Sequence, residues 1–594
     1  MTHGDDAHAT LKAGALYLVL AAVLWQHAWT GGPSSTLASG SLDPAQDVWW
    51  LAWVPHALAH GLDPLRTRAM FAPAGVNVLA NTSFVLPSLV LWPVTALFGP
   101  VLSFNVAVTL APVLDALGAF AVARRYVRWA PSAWVAGLVY GFGPFVATDL
   151  RFGHLNLTLL VVPPLLLLAL DEVLVRQRRP AWAAGAMVGA LVVAEFFVSV
   201  EMLALTVVMV VVGLAAVVVG APRWMRPRAA YAGRALGWAV AISSVVLAYP
   251  TWWYLDGPRH FTGAVWGDMA RFAASLSSFV VPHGQLAGVT FLTGGNGDYV
   301  GPTLLVIVVA GAVALRRRPP VALAGALALA AAVMALWWPL LHLPLLDSVA
   351  ASRFGAFVDL FAAVVLAVVL DTVHRATVEG AVGPGREHRA RALALAVVAV
   401  GPLALVPPWP YPTRSLSEPT VWRSAAVRSL PPGAVVREYP PAQSDLGDEL
   451  VWQAEASMAY ATVDGYAIVP GPDGRATIRP PDDVMDEIFA AFALGRARAP
   501  FAPSLVAAVA GHAWDHRAAA VVVELHASGG PLAAALLTEA LGPPAERDTS
   551  GVVWRAPLLS AAAGAGSSRG PRAGAGSARA APAARGRSTG PPAR

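Results

Sequence analysis

Asp43 and Asp47 stand four residues apart at the head of an aromatic run, Trp49, Trp50 and Trp53, which continues into His56 and His60. A carboxylate placed beside a hydroxyl can take its proton as a general base. A spacing of four puts two such groups on one side of a helix. Asp43 also precedes Pro44, a pair that suits a helix start: the Asp side chain caps free N–H groups and Pro occupies the first helical position. Capping and base chemistry are compatible roles for the same residue. His56 and His60 share the i, i+4 spacing that can chelate a metal on one helix face. No glutamate stands between them and no third ligand follows by spacing, so no metal site is assigned and the pair is read as support at the same surface.

Three further positions could recognise phosphate, because a guanidinium makes forked, charge-assisted contacts to it. The first is Arg151 with His154, in Asp149-Leu150-Arg151-Phe152-Gly153-His154-Leu155. The second is Arg353, in Ala351-Ser352-Arg353-Phe354-Gly355. The third is Arg259, beside His260. Glu195 and Glu201 lie in or next to apolar stretches, where an ionisable group is costly and marks function; Glu201, at a helix end, is the one placed to support a site. The sequence carries no phosphate-cradling glycine loop, nucleophile elbow, zinc signature or dinucleotide fingerprint.

The elements that must position these residues are membrane helices. Of 594 residues, 56% are hydrophobic and only 13% charged, about half the charged fraction of a soluble chain. Mean hydropathy is +0.58. Apolar runs of the length that crosses a bilayer recur, and in lipid such runs must be helices. Spans are expected near 13–29, 84–99, 103–123, 132–149, 155–174, 181–198, 201–220, 234–253, 301–315, 320–340, 355–373 and 391–407. Arginine clusters around Arg124, Arg178, Arg226 and Arg317 mark the inner face. Counting every early segment as a crossing would put Arg124 and Arg125 on the wrong side, so one segment within 84–149 is expected to be re-entrant or half-length. Cysteine is absent and Lys12 is the only lysine. The net charge of +5 sits in short arginine clusters between apolar runs, which fits anchoring at an anionic leaflet and not nucleic-acid binding.

This divides the chain into a cytoplasmic N-terminus at 1–12 and a membrane domain at 13–407 with a long first outer loop at 30–83. A small α/β domain follows at 408–556, and then a tail at 557–594. In the α/β domain, strands are expected at 434–439, 519–525 and 551–555 and a helix at 531–541. The tail is rich in Ala, Gly, Ser, Pro and Arg, lacks acidic and aromatic residues, and is expected to be disordered. In the first loop, Trp49, Trp50 and Trp53 read as the apolar side of a helix lying in the membrane interface.

A first outer loop with an acidic residue and interfacial helix, many spans and an outer soluble domain together resemble the GT-C class of polytopic glycosyltransferases, in an uncharacterised bacterial branch. In that branch the first loop reads like Asp43-Pro44 followed by Trp50-Leu51-Ala52-Trp53 and His56-Ala57-Leu58, and a later segment like Gly153-His154-Leu155-Asn156-Leu157. The resemblance implies a helical polytopic membrane protein of about 11–12 transmembrane helices in a bacterial plasma membrane, with its N-terminus cytoplasmic and its α/β domain outside. It implies transfer of a sugar, with inversion, from a polyprenyl-phosphate donor to a cell-envelope glycan, lipid or protein. Asp43, with Asp47 as the alternative, would act on the acceptor hydroxyl. Arg151, His154, Arg353 and Arg259 would hold the donor phosphate, and Trp452 and Gln453 would help hold the acceptor. A divalent ion is allowed by the resemblance, with no ligand set defined. The competing reading is a non-catalytic transporter or flippase of lipid-linked glycans. A transporter is expected to show internal repeats and midplane charges, whereas no repeat is seen and the polar residues gather at one face.

Overall fold

The computed structural model describes residues 3–81, 84–266, 269–281, 285–286, 289–290, 297–336, 349–378, 409–442, 447–478 and 483–557. Among these, seven helices are long and apolar enough to cross a membrane, or eight if the bent pair Ala130–Gly141 and Pro144–Phe152 is one span. The helices Val85–Phe98, Ala181–Phe196 and Pro302–Ala314 are apolar but shorter, and coincide with spans expected from hydropathy. The expected span at 391–407 and the tail from 558 lie outside the described residues.

The first helix, α1 (His3–Leu24), starts ten residues before the expected span. It is followed by the short strand β1 (Thr36–Leu37) and helix α2 (Pro44–Ala59), which carries the tryptophan run. A hairpin of β2 (Arg66–Thr67) and β3 (Val76–Asn77) completes the loop. Helices α3 (Val85–Phe98) and α4 (Pro100–Ala123) follow, then α5 (Ala130–Gly141) and α6 (Pro144–Phe152). The 42° bend between α5 and α6 falls at Gly143-Pro144, where proline forces the preceding residue out of helical geometry; Gly143 is extended, at φ −67° and ψ 169°.

Contacts sort the early helices by membrane face. At one end, Arg124 after α4 pairs with Asp6 of α1, so the arginine cluster lies with the N-terminus. At the other, Gly99, where α4 begins, packs against the Glu455 carboxylate of the C-terminal region, and Leu24 at the end of α1 accepts a bond from Tyr411 N–H. Helix α3 has both ends on this second side. Leu86 N–H donates to Phe197 O, Ser88 Oγ to Trp50 O, and its last residue meets Gly99. Both of its ends thus meet loop-face elements, the arrangement expected of a re-entrant or half-length segment within 84–149; the bent α5–α6 pair is the other interrupted segment of this stretch. Val90, Leu97 and Phe98 of α3 remain exposed, as suits a helix lying against lipid.

The C-terminal region sits on this same loop face. Strand β4 (Arg414–Ser415) pairs with β1. A five-stranded sheet of order β8-β9-β7-β5-β6 is formed by β5 (Ala434–Tyr439), β6 (Tyr460–Thr462), β7 (Ala520–Glu524), β8 (Glu546–Arg547) and β9 (Gly551–Arg555). β5 runs parallel to both β6 and β7. The expected strands and the expected helix, observed at Gly530–Leu541, fall within a residue of their places.

One expectation about this loop is overturned. Trp49, Trp50 and Trp53 are 0%, 1% and 4% exposed, so α2 is no interfacial anchor; it is covered by the C-terminal helix α9, numbered after α7 (Ala229–Asp256) and α8 (Gly355–Val378), which spans Glu449–Glu455. The cause is one amide. Gln453 Oε1 accepts from Trp49 Nε1 at 2.5 Å, and its Nε2 donates to Ala69 O at 2.6 Å and Tyr460 O at 2.8 Å. The Trp49 indole N–H is removed from water and would be left unpaired without it, whereas Ala69 O keeps a second bond from Thr462 N–H at 2.8 Å. Leaving a buried polar group unpaired costs about 1–3 kcal/mol. Gln453→Leu is therefore expected to destabilise the protein by about 3 kcal/mol and lower its thermal unfolding midpoint in detergent; an unchanged midpoint would show that the amide does not hold the C-terminal region on α2.

Candidate functional site

The site begins at a reversal of the chain. Gly153 ends α6 in the left-handed conformation, φ 80°, a helix stop that glycine adopts without strain. Its N–H bonds Leu150 O, and His154 N–H bonds Asp149 O, so the ring of His154 folds back onto the helix it has just left. A Cβ at Gly153 would lie 2.2 Å from Pro44 Cγ, so the head of α2 rests directly on this turn. Two hydrogen bonds fasten it there: Leu155 N–H to Asp47 Oδ2 at 3.1 Å and Ser39 Oγ to Arg151 O at 3.4 Å.

The imidazole of His154 then stands between two carboxylates. Nδ1 is 2.9 Å from Asp149 Oδ1 and Nε2 is 3.4 Å from Asp43 Oδ2. Asp43 makes no capping bond to α2. Its other oxygen accepts from the hydroxyl of Tyr466, at 3.2 Å. Tyr466 is held in turn by its own carbonyl, which accepts from Gln46 Nε2 at 2.6 Å, and two residues further on Asn81 clamps both the N–H and C=O of Ile468.

These contacts set the charges. Burial acts to lower the His154 pKa, but the hydrogen bonds and charges of Asp149 and Asp43 raise it to about 10. Burial acts to raise that of Asp43, but His154, Tyr466 and Ser41 hold it below the usual carboxylate value. Asp47 differs: burial pushes it up to about 7, with the Leu155 N–H opposing. Access separates the two carboxylates as well. Asp43 keeps 32% of its side chain exposed, whereas Asp47 is 6% exposed and faces the protein.

Arg353 pairs with Glu201, which also accepts from Ala350 N–H at 3.4 Å. Arg353 interacts electrostatically with Asp149, so the pair adjoins the His154 network. Asp298 also feels the Asp149 charge; it is buried, and its pKa rises to about 8. Arg151 is half-buried, and its charge acts on Tyr411.

Other residues singled out in the sequence lie elsewhere. His56 and His60 stack on each other at 4.2 Å at the far end of α2, about 20 and 25 Å from Asp43 along the helix at a rise of 1.5 Å per residue. Arg259 sits in the turn after α7 with its Nε on Gly75 O at 3.1 Å. Trp452 is buried beside Glu524, and Gln453 is committed to the contacts above. Glu195 is 1% exposed within its helix. Among the described residues, no group of three or more His, Asp or Glu has a metal-holding arrangement.

Asp149 and Tyr466 were not singled out in the sequence. Asp149 carries a local signal, an acid five residues before His154 across a glycine helix stop. Tyr466 carries none: 423 residues separate it from Asp43, and only the docking of the C-terminal region brings them together.

No protein-family model matches the chain, and no curated protein matches its sequence. Solved structures do match. The arabinofuranosyltransferase AftD from mycobacteria aligns over 87% of this chain and 35% of its own, with TM-score 0.51 and 17% identity; its R1389S mutant, in one class, aligns over 92% and 41% with TM-score 0.54 and 16% identity. The oligosaccharyltransferase AglB from Archaeoglobus fulgidus, solved with an inhibitory peptide and a dolichol-phosphate, aligns over 90% and 71% with TM-score 0.52 and 13% identity. The chain thus spans about a third of the length of AftD. Taken with its apolar helices, it has the polytopic membrane fold of the GT-C glycosyltransferases.

Proposed function

We propose that this chain is a membrane glycosyltransferase that moves a sugar from a polyprenyl-phosphate donor to a hydroxyl on a cell-envelope glycan, lipid or protein, at the outer face of a bacterial plasma membrane. The observation that carries the reading is Asp43: a half-open carboxylate, kept ionised by His154, on the loop face of a GT-C fold. The structural relatives bear on this through their fold alone. The orientation rests on the arginine cluster beside the N-terminus, since positive charge favours the cytoplasmic side. Residues 408–556 act as a cap whose Tyr466 completes the site.

Asp43 accepts the hydroxyl proton as the acceptor oxygen attacks the anomeric carbon. The new glycosidic bond forms as the bond from that carbon to the phosphate oxygen breaks, with inversion, and the lipid phosphate leaves carrying the bonding pair. Cationic His154 and the adjoining Arg353 stabilise the charge that builds on this phosphate, and Arg151 supports them from the same turn. Asp149 positions His154. Asp47, buried and bonded to Leu155, fixes the head of α2 in place of acting as the base.

Asp43→Asn is expected to reduce transfer of radiolabelled sugar from polyprenyl-phosphate donors by about 100-fold or more. Asp47→Asn keeps its contact to Leu155 and loses far less. Full activity of Asp43→Asn would place the base elsewhere.

The His154 value also sets a pH dependence. Its folded-state pKa of about 10 lies above the free value of about 6.5. The ion pairs therefore contribute fully below about pH 6.5 and are lost as pH rises through about 10. The unfolding midpoint is expected to fall across that window, and His154→Gln to flatten the fall; an equal slope in both proteins would mean that the imidazole is not held as a cation.

A further inference from the structure

Arg66 and Arg259 come together at a seam between the β2–β3 hairpin and the end of α7. The seam is tightly defined: Asn77 Nδ2 donates to Trp253 O at 3.0 Å, Trp253 Nε1 to Leu65 O at 3.1 Å, and Arg259 Nε to Gly75 O at 3.1 Å. Burial, and then the neighbouring Arg66 charge, depress the pKa of Arg259. Neither pairs with a carboxylate among the described residues. Arg66 Nε is buried with no hydrogen-bond partner, and Arg259 is held at φ 63°, an uncommon conformation for a residue with a side chain. Two permanent cations and an orphaned buried donor, with no carboxylate paired to them among the described residues, make an electrostatically incomplete arrangement that an anion would satisfy.

The surroundings say where that anion comes from. On the last turns of α7, Tyr249, Trp252 and Leu255 are 53%, 49% and 47% exposed. Amphipathic aromatic rings exposed at a helix end sit at headgroup depth, and Arg259 follows the end of this helix by three residues. The seam therefore opens at the level of lipid phosphates. No hydrogen bond or ion pair links either arginine to Asp43, His154 or Asp149.

We propose that Arg66 and Arg259 form a phosphate-binding site for an anionic lipid headgroup, separate from the Asp43 centre and independent of the proposed transfer reaction. Charge-assisted bonds from both guanidiniums would hold the phosphate, with the lipid chains running along the exposed aromatic side of α7. The site would seat the hairpin, and with it the first loop, on the bilayer surface.

The test uses the full chain purified in a zwitterionic detergent, with native mass spectrometry during titration of dioleoylphosphatidylglycerol, dioleoylphosphatidylcholine or inorganic phosphate. Retained phosphatidylglycerol, little phosphatidylcholine, and affinity about tenfold or more weaker in the Arg66→Gln/Arg259→Gln variant are expected. Arg66→Lys/Arg259→Lys keeps the charges and should retain part of the binding, which separates the proposal from loss of folding. Asp43→Asn should bind lipid normally, so failure of the transfer reading leaves this result intact. Equal binding of the two lipids, or undiminished phosphatidylglycerol binding in the glutamine variant, would overturn the proposal. Binding of inorganic phosphate alone would keep the anion site but overturn its assignment to a lipid.

Discussion

The imidazole of His154, held between the carboxylates of Asp149 and Asp43, is the interaction from which the rest of the loop face takes its arrangement. A neutral imidazole can donate from only one nitrogen, whereas an imidazolium donates from both. Two flanking carboxylates favour the cation, and the cation keeps Asp43 ionised. The geometry depends on Gly153: its left-handed turn presents His154 to Asp149 and leaves room for Pro44 against the backbone. One turn thus sets the position of a membrane helix end, the start of α2 and the charge at the open carboxylate.

A second constraint is that α2 is buried. Its tryptophans have the composition of a membrane anchor, yet the indole of Trp49 finds its partner in Gln453 and not in lipid headgroups. Buried polar groups require partners, and Gln453 is shared among α2, the first loop and β6. This sharing places Tyr466 on Asp43. The site is therefore assembled from three stretches far apart in the chain, and the described residues up to Arg555 belong to one compact unit.

Much of this was legible in the sequence for simple reasons. Hydropathy alone located the long helices, because a bilayer leaves the backbone no alternative. Asp43-Pro44 announced a helix start. The anomaly in early charge alternation was also legible, although only the contacts of Leu86 and Gly99 bring both ends of α3 to loop-face elements. Partners were not legible. Asp149 and Tyr466 belong to no motif, and Arg66 draws notice only once the hairpin lays it against Arg259. The capping role open to Asp43 is not taken, because His154 and Tyr466 occupy its oxygens. Trp452 and Gln453 were expected to help hold the acceptor; both are buried, and the Gln453 amide is committed to the joint between α2 and the C-terminal region.

Electrostatic preorganisation is the idea that unites these features. A carboxylate open to solvent, a cation fixed beside it and a second cation in the field of Asp149, the residue that fixes the first, form a site that needs little rearrangement to meet a developing charge. The most direct test of that idea is a structure of the protein with a polyprenyl phosphate bound. The account predicts the phosphate within hydrogen-bonding reach of His154 or Arg353, with Asp43 facing open space where an acceptor hydroxyl fits. A phosphate seated on another face of the membrane domain, with Asp43 remote from it, would contradict the account.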